Sequence, residues 1–149
     1  MNGPVLTNQN RKSPEHLVLG IDYGTTNIGL ALGGHGICTP LKVLNAKELQ
    51  SAIKEINKVV YENKIKTVVL GLPLTADGKE TRKSLEVRRF AKQLRISLKL
   101  PIEFVNEILT TRESLERSID LGFSEKSRRK IDHLSAAIIL KNYFDEIDE

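Results

Sequence analysis

Tryptophan is absent from this chain, and cysteine and methionine occur once each among 149 residues. Aromatic residues make up only 5%, so a core must be assembled from Ile, Leu, Val and Ala. Platforms on which bases could stack are correspondingly scarce, with Tyr23 the one candidate and packing its more common role. The single Cys38 excludes an internal disulfide, which makes a reducing cytoplasm the expected compartment. Cys38 itself reads as a small core residue rather than a nucleophile. The three histidines are scattered: His16 near the start, His35 in a Gly-rich turn, His133 beside an aspartate. They build no constellation with Ser or Cys. No apolar run reaches the length of a membrane span, and Met1–His16 lacks the basic-then-apolar order of a secretory signal.

What is present is a chain 40% hydrophobic and 28% charged, enough for one domain with a sizeable core. Residues 1–16 read as a polar tail and 17–149 as a single domain. The net charge of +4 tilts the choice of partner toward a polyanion, though only mildly.

Leu17–Asp22, Ile28–Leu32 and Ile37–Val43 have strand length and composition, and the short turns between them predict a meander. Leu49, Ala52, Ile53, Ile56 and Val60 recur at helical spacing. Thr67–Gly71 is a continuous β-branched run, as in a parallel strand buried on both faces. A second helix carries Val87, Phe90, Ala91, Leu94 and Leu98 inward and ends at Pro101, before a strand at Ile102–Val105. Thr110 with Glu113 predicts a capped third helix closed by Gly122. A last helix runs from about Ser124 to Phe144, apolar all round at Ala136–Leu140. The order implies an α/β domain with a five-stranded mixed sheet, three antiparallel strands followed by two parallel ones, flanked by helices.

Three acids stand out. Asp22 ends an apolar run that must be a central strand, where an unpaired carboxylate is expensive to bury. It could equally be a turn residue ahead of Tyr23-Gly24. Glu107 follows a second strand, at the end where ligands gather in open α/β sheets, or it is a solvated loop residue. Asp132 heads a helical stripe of Ser135, Ala136 and Ile139, and either needs a cation there or pairs with Arg128 or Arg129. Taken together, the three can converge on one point. Repelling carboxylates are tolerated where divalent cations neutralise them, and hard oxygen donors suit Mg²⁺ or Mn²⁺. The matching chemistry is two-metal phosphodiester hydrolysis.

At this point the residues resemble a family. LGIDYGTTNIGLAL, VVLGLPLTADGKETRKSLEVRRFAKQL, VNEILTT and SRRKIDHLSAAIIL are similar, in order, to the motifs of the YqgF-type proteins. Members are described as Holliday-junction resolvases and as pre-16S rRNA nucleases. The resemblance runs from about Leu17 to Phe144. It implies an RNase H-like nuclease fold and a metal site at Asp22, Glu107 and Asp132. Three departures stand near that site: Asn27, Asn106 and Ile108 replace the family's usual Arg, Asp and Arg. Losing two arginines should weaken the grip on phosphate.

Arg82, Lys83 and Arg88 on the second helix, and Lys126, Arg128, Arg129 and Lys130 just before Asp132, are the expected nucleic-acid contacts. Such residues position phosphates without reading sequence. The favoured substrate is structured precursor rRNA, at the 5′ end of 16S, with ribosomal particles as further partners. A four-way DNA junction is the alternative, and would require a dimer. A monomer is preferred, because helical patterning leaves no apolar stripe for a two-fold interface. Two other readings differ in class: a non-catalytic RNA-binding module, and one lobe of an actin-like ATPase in which Gly24–Asn27 would cradle phosphates. For the latter, no second such loop is found.

Overall fold

Val18–Tyr23 forms β1, whose alternate residues face two different layers. Leu19 and Ile21 join one apolar cluster and Val18 another, all fully buried. A strand covered on both faces belongs inside a sheet. β1 is the middle strand of five, in the order β3-β2-β1-β4-β5. The structure, a computed structural model, describes residues 16–107 and 125–148, with side chains of the second stretch described at 134–147. Its further elements are β2 Asn27–Gly34, β3 Ile37–Asn45, α1 Leu49–Glu62, β4 Thr67–Leu72, α2 Arg82–Leu98, β5 Ile102–Asn106 and α3 Glu125–Asp148.

β1, β2 and β3 pair antiparallel, while β4 runs parallel to β1 and β5 parallel to β4. The expected mixed sheet is therefore the observed one. His35 and Gly36, both at positive φ (54° and 79°), make the tight β2–β3 turn. In β3 the register shifts so that Lys42 faces Leu30 and Pro40 faces Ala31, leaving Leu41 as a bulge. A proline is tolerated there because β3 is an edge strand.

One face of the sheet carries α1 and α2. Ala52, Ile53, Ile56 and Val59 of α1, and Val87, Phe90, Ala91 and Leu94 of α2, bury against Leu19, Ile21, Leu30, Val68 and Leu70. Tyr23 stacks on Phe90 with ring centroids 4.3 Å apart, so its ring serves packing. The start of α2 is fixed by a capping box, absent from the sequence reading. The Ser84 amide donates to Thr81 Oγ1 at 2.9 Å, and the Thr81 amide to Ser84 Oγ at 2.7 Å. These bonds explain how Ser84 is fully buried, and such a cap stabilises by about 1 kcal/mol.

The other face carries α3, packed on Val18, Ala31, Val69 and Val105. Its approach depends on missing side chains. A Cβ on Gly20 would collide with Leu140 Cγ, and one on Gly33 would stand 2.7 Å from Phe144 Cε2. The helix therefore settles closer than any Ala-bearing strand would allow. It also runs past the expected end at Phe144, to Asp148. Within the helix, Tyr143 is buried and its hydroxyl donates to Glu103 Oε2 at 3.0 Å. Burial, with that carboxylate, holds the phenol well above its ordinary pKa. Half-buried Cys38 packs on the same layer, and burial raises its thiol pKa, as befits a core residue.

His16, at the end of the expected tail, lies with Nε2 3.3 Å from Thr67 Oγ1. On the outer helix faces Tyr61 and Ile96 stand exposed as single apolar residues. Residues 1–15 of the tail, and the helix expected from Thr110 to Gly122, lie outside the described residues. Among the described residues, no helix is long and apolar enough to cross a membrane.

Gly20→Ala should destabilise the fold by about 1–3 kcal/mol through overpacking against Leu140. An unchanged urea midpoint would show that α3 is not seated on β1. A second expectation concerns alkaline pH. Because the folded-state pKa of Tyr143 is raised, its contribution is complete below an ordinary tyrosine pKa of about 10 and declines above it. Tyr143→Phe should flatten that alkaline decline in melting temperature, and an unchanged slope would remove Tyr143 as its source.

Candidate active site at the carboxyl edge of the sheet

Asp22 is the fifth residue of β1, opposite Gly29 of β2. Alternation places it on the face of Val18 and Gly20, the one that α3 covers. On its other side the parallel register Ile21↔Leu70 continues, at the next step, to Gly71. Neighbouring strands lie about 4.8 Å apart, so the two positions are close.

Glu107 follows β5 and is tied to the neighbouring strand end by its amide, which donates to the Leu72 carbonyl at 3.1 Å. It shares a face with Val105, again the α3 face. Its side chain folds back over Gly71: a Cβ there would stand 2.5 Å from Glu107 Oε1 and 2.9 Å from Glu107 Cγ. Ile139 of α3 closes the same spot, its Cδ1 also 2.5 Å from that point. The carboxylate of Glu107 thus lies above the strand next to Asp22, and at the same level. Two acids far apart in sequence are brought together at the carboxyl ends of three parallel strands. Gly71 was not singled out from the sequence. The only signal was a side-chain-free residue inside a β-branched run.

The two carboxylates offer the hard oxygens that Mg²⁺ and Mn²⁺ take, so the donor set fits those ions. Among the described residues no group of three or more His, Cys, Asp or Glu gathers as a ligand cluster. Asp132 falls within α3, with its side chain, like that of His133, outside the described residues. The same holds for Lys126, Arg128, Arg129 and Lys130. Of the family departures, Asn106 is exposed and alternates away from Glu107, Asn27 opens β2, and Ile108 is outside the described residues.

The basic residues of α2 divide. Arg82 is exposed in the first turn. Lys83 Nζ reaches across to Thr25 Oγ1 at 3.4 Å, linking α2 to the turn that follows Asp22. Arg88 is engaged at the surface by its own chain: Nε and an Nη donate to the two carboxylate oxygens of Glu80 at 2.8 and 2.9 Å. Its guanidinium also lies 5.2 Å from the centre of the Phe104 ring. The bond to Arg88 holds the Glu80 carboxyl below its usual range. This fork and ring contact anchor the β4–α2 loop to α2 and β5. The loop is further closed on itself, since Thr75 and Lys79 exchange bonds at 3.0 and 2.9 Å, and the Thr75 hydroxyl also donates to Asp77. The carboxyl edge is therefore bordered by a braced loop.

The RuvX family model, described as Holliday junction resolvase, matches residues 16–146. A Chloroflexus aurantiacus protein named, provisionally, as a pre-16S rRNA nuclease is 34% identical over 134 residues, covering 88% of each chain. A Rhodobacter capsulatus protein of the same name is 34% identical over 131 residues, 86% of this chain and 82% of that one. Among solved structures, Thermus thermophilus RuvC in complex with a Holliday junction substrate matches with a TM-score of 0.55 at 19% identity. It covers 88% of this chain and 94% of its own. The yeast mitochondrial Holliday junction resolvase Ydc2 matches with a TM-score of 0.53 at 12% identity, over 94% of this chain and 83% of its own. Both share the RNase H-like fold. The match along nearly the whole chain sets aside the ATPase-lobe reading. The chain belongs to the RuvX family of Holliday junction resolvases, nucleases of RNase H-like fold that hydrolyse phosphodiester bonds in nucleic acid.

Proposed function

We propose that this nuclease processes the 5′ end of precursor 16S rRNA in the cytoplasm, acting on ribosomal precursor particles through a site made by Asp22, Glu107 and Asp132. The observation that carries the site is the Glu107 carboxylate laid over Gly71, on the strand adjoining Asp22. The course of α3 supports the third member. Leu140 lies over Gly20 and Phe144 over Gly33, which pairs with Val18, so α3 runs antiparallel to β1 and its first half heads for the carboxyl edge. Asp132 precedes Leu140 by about 12 Å of helix, whereas Asp22 stands about 7 Å up β1 from Gly20. The offset of about 5 Å is within reach of carboxylates sharing ions.

Asp22, Glu107 and Asp132 would hold Mg²⁺ or Mn²⁺, which supply an activated water nucleophile and stabilise the leaving oxygen when bound. The chain's own part is positional. The strand ends fix two acids, α3 brings the third, and the apolar Ile139 limits water behind Glu107. Arg82 and Lys83, beside the Thr25 turn, border the edge on one side. Lys126, Arg128, Arg129 and Lys130 precede Asp132 along the sequence of α3. A phosphate backbone crossing the edge would meet positive charge before and after the acids, which suits recognition by shape. Arg88 serves instead to brace the loop. The rRNA reading draws on the relatives at 34% identity, whose provisional name is that of a pre-16S rRNA nuclease. The family description favours a second reading, resolution of four-way DNA junctions, which needs paired sites.

Asp22→Asn, Glu107→Gln and Asp132→Asn should each reduce Mg²⁺-dependent cleavage by at least about a hundredfold without unfolding the protein. The losses should be non-additive, because the three act as a unit. Full activity in any one removes that residue from the site. Cleavage of a precursor rRNA fragment and a four-way DNA junction, run side by side, tests the substrate. Cutting of the rRNA by a monomer is expected, with binding that weakens steeply in salt. Replacing Arg128 and Arg129 by Ala should make that salt slope shallower by roughly one to two units. A stable dimer that cuts junctions symmetrically and spares the rRNA would overturn the assignment.

A further inference from the structure

We infer that Gly71 is a positioning residue for the nuclease reaction: its missing side chain is the slot that holds the Glu107 carboxylate beside Asp22. The inference rests on the reading of Glu107 as a metal ligand. Three observations lead to it. First, β4 gains nothing from glycine as a strand residue, because an interior glycine weakens a strand and packs nothing. Second, the backbone does not demand it. Positive φ occurs at Gly36 and Gly78 among the described glycines, and Gly71 is not one of them. Third, the space above it is taken by two groups at once, Glu107 Oε1 and Ile139 Cδ1, each 2.5 Å from where a Cβ would stand.

The comparison with Gly20 and Gly33 isolates what is particular here. The space over Gly20 is taken by Leu140, and that over Gly33 by Phe144 and Leu140, all side chains of α3. Those two glycines seat the helix. Gly71 seats the helix and a carboxylate together. The Glu107 backbone is already held by its bond to the Leu72 carbonyl, so the remaining freedom lies in the side-chain torsions. Gly71 beneath and Ile139 above confine them, and the register places Asp22 alongside. A methyl group at position 71 would expel the carboxylate from this slot. The atoms it meets are the ends of flexible side chains, so the fold can yield while the ligand geometry is lost.

Four proteins test this: the native chain, Gly71→Ala, Gly71→Ala with Ile139→Val, and Glu107→Gln. The valine lacks the Cδ1 that meets the new methyl, which relieves the helix but leaves the carboxylate displaced. The readouts are melting temperature without metal, Mn²⁺ affinity by calorimetry, and the Mn²⁺ concentration giving half-maximal cleavage. Gly71→Ala should weaken Mn²⁺ binding at least tenfold and raise the half-maximal concentration in parallel. The double variant should recover the metal-free melting temperature but not the Mn²⁺ affinity. Recovery of Mn²⁺ affinity in the double variant would mean that the slot serves only the helix, and native affinity in Gly71→Ala would likewise overturn the inference. Glu107→Gln separates the two levels. If it binds Mn²⁺ poorly while Gly71→Ala binds normally, the slot alone is wrong; if it binds Mn²⁺ normally, the ligand reading falls and the slot with it.

Discussion

The close seating of α3 on a sheet face that carries glycine where the helix comes nearest is the contact on which the rest of this molecule depends. Gly20 and Gly33 give up side chains so that Leu140 and Phe144 can occupy their places. Each glycine costs a strand about 0.5–1 kcal/mol relative to alanine. Burying a Leu or Phe fully contributes about 1.5–3 kcal/mol, which offsets that loss. The exchange fixes more than stability. It sets the direction of α3, and therefore which half of the helix meets the carboxyl edge.

The two layers divide the work. On one face α1 and α2 make an ordinary apolar core, and the capped start of α2 fixes where its basic first turn stands. On the other face the apolar packing of α3 gives way, at one end of the sheet, to carboxylates. The transition is abrupt: Val105 is buried in the α3 layer and Glu107, two residues on, has its carboxylate against Ile139. An acid placed at that boundary has apolar packing on one side. This is the setting in which a carboxylate gains most from a cation partner.

The braced β4–α2 loop adds a fixed rim. Glu80, Arg88 and Phe104 link loop, helix and edge strand through a bidentate ion pair and a ring contact. All three lie near the surface, so the link contributes geometry more than stability. Together with the Lys83–Thr25 contact, it holds the turn after Asp22 and the loop after β4 in one arrangement.

The element order, the mixed sheet and the apolar core follow from period and composition alone, because alternation in β1 and helical spacing in α1 and α2 are local properties. Asp22 is conspicuous as an acid ending an apolar run, whereas Glu107 and Asp132 stand out only when the three are taken together. Tertiary structure decided the remainder. Arg88 reads as one more cation on a basic helix until Glu80 and Phe104 close around it. His16 looks like tail until it meets Thr67, fifty-one residues away. Gly71 looks like a gap in a strand until Glu107 and Ile139, from β5's end and from α3, fill it. Each of these depends on segments distant in sequence sharing a few ångströms of space. Periodicity carries no such information, whereas packing does.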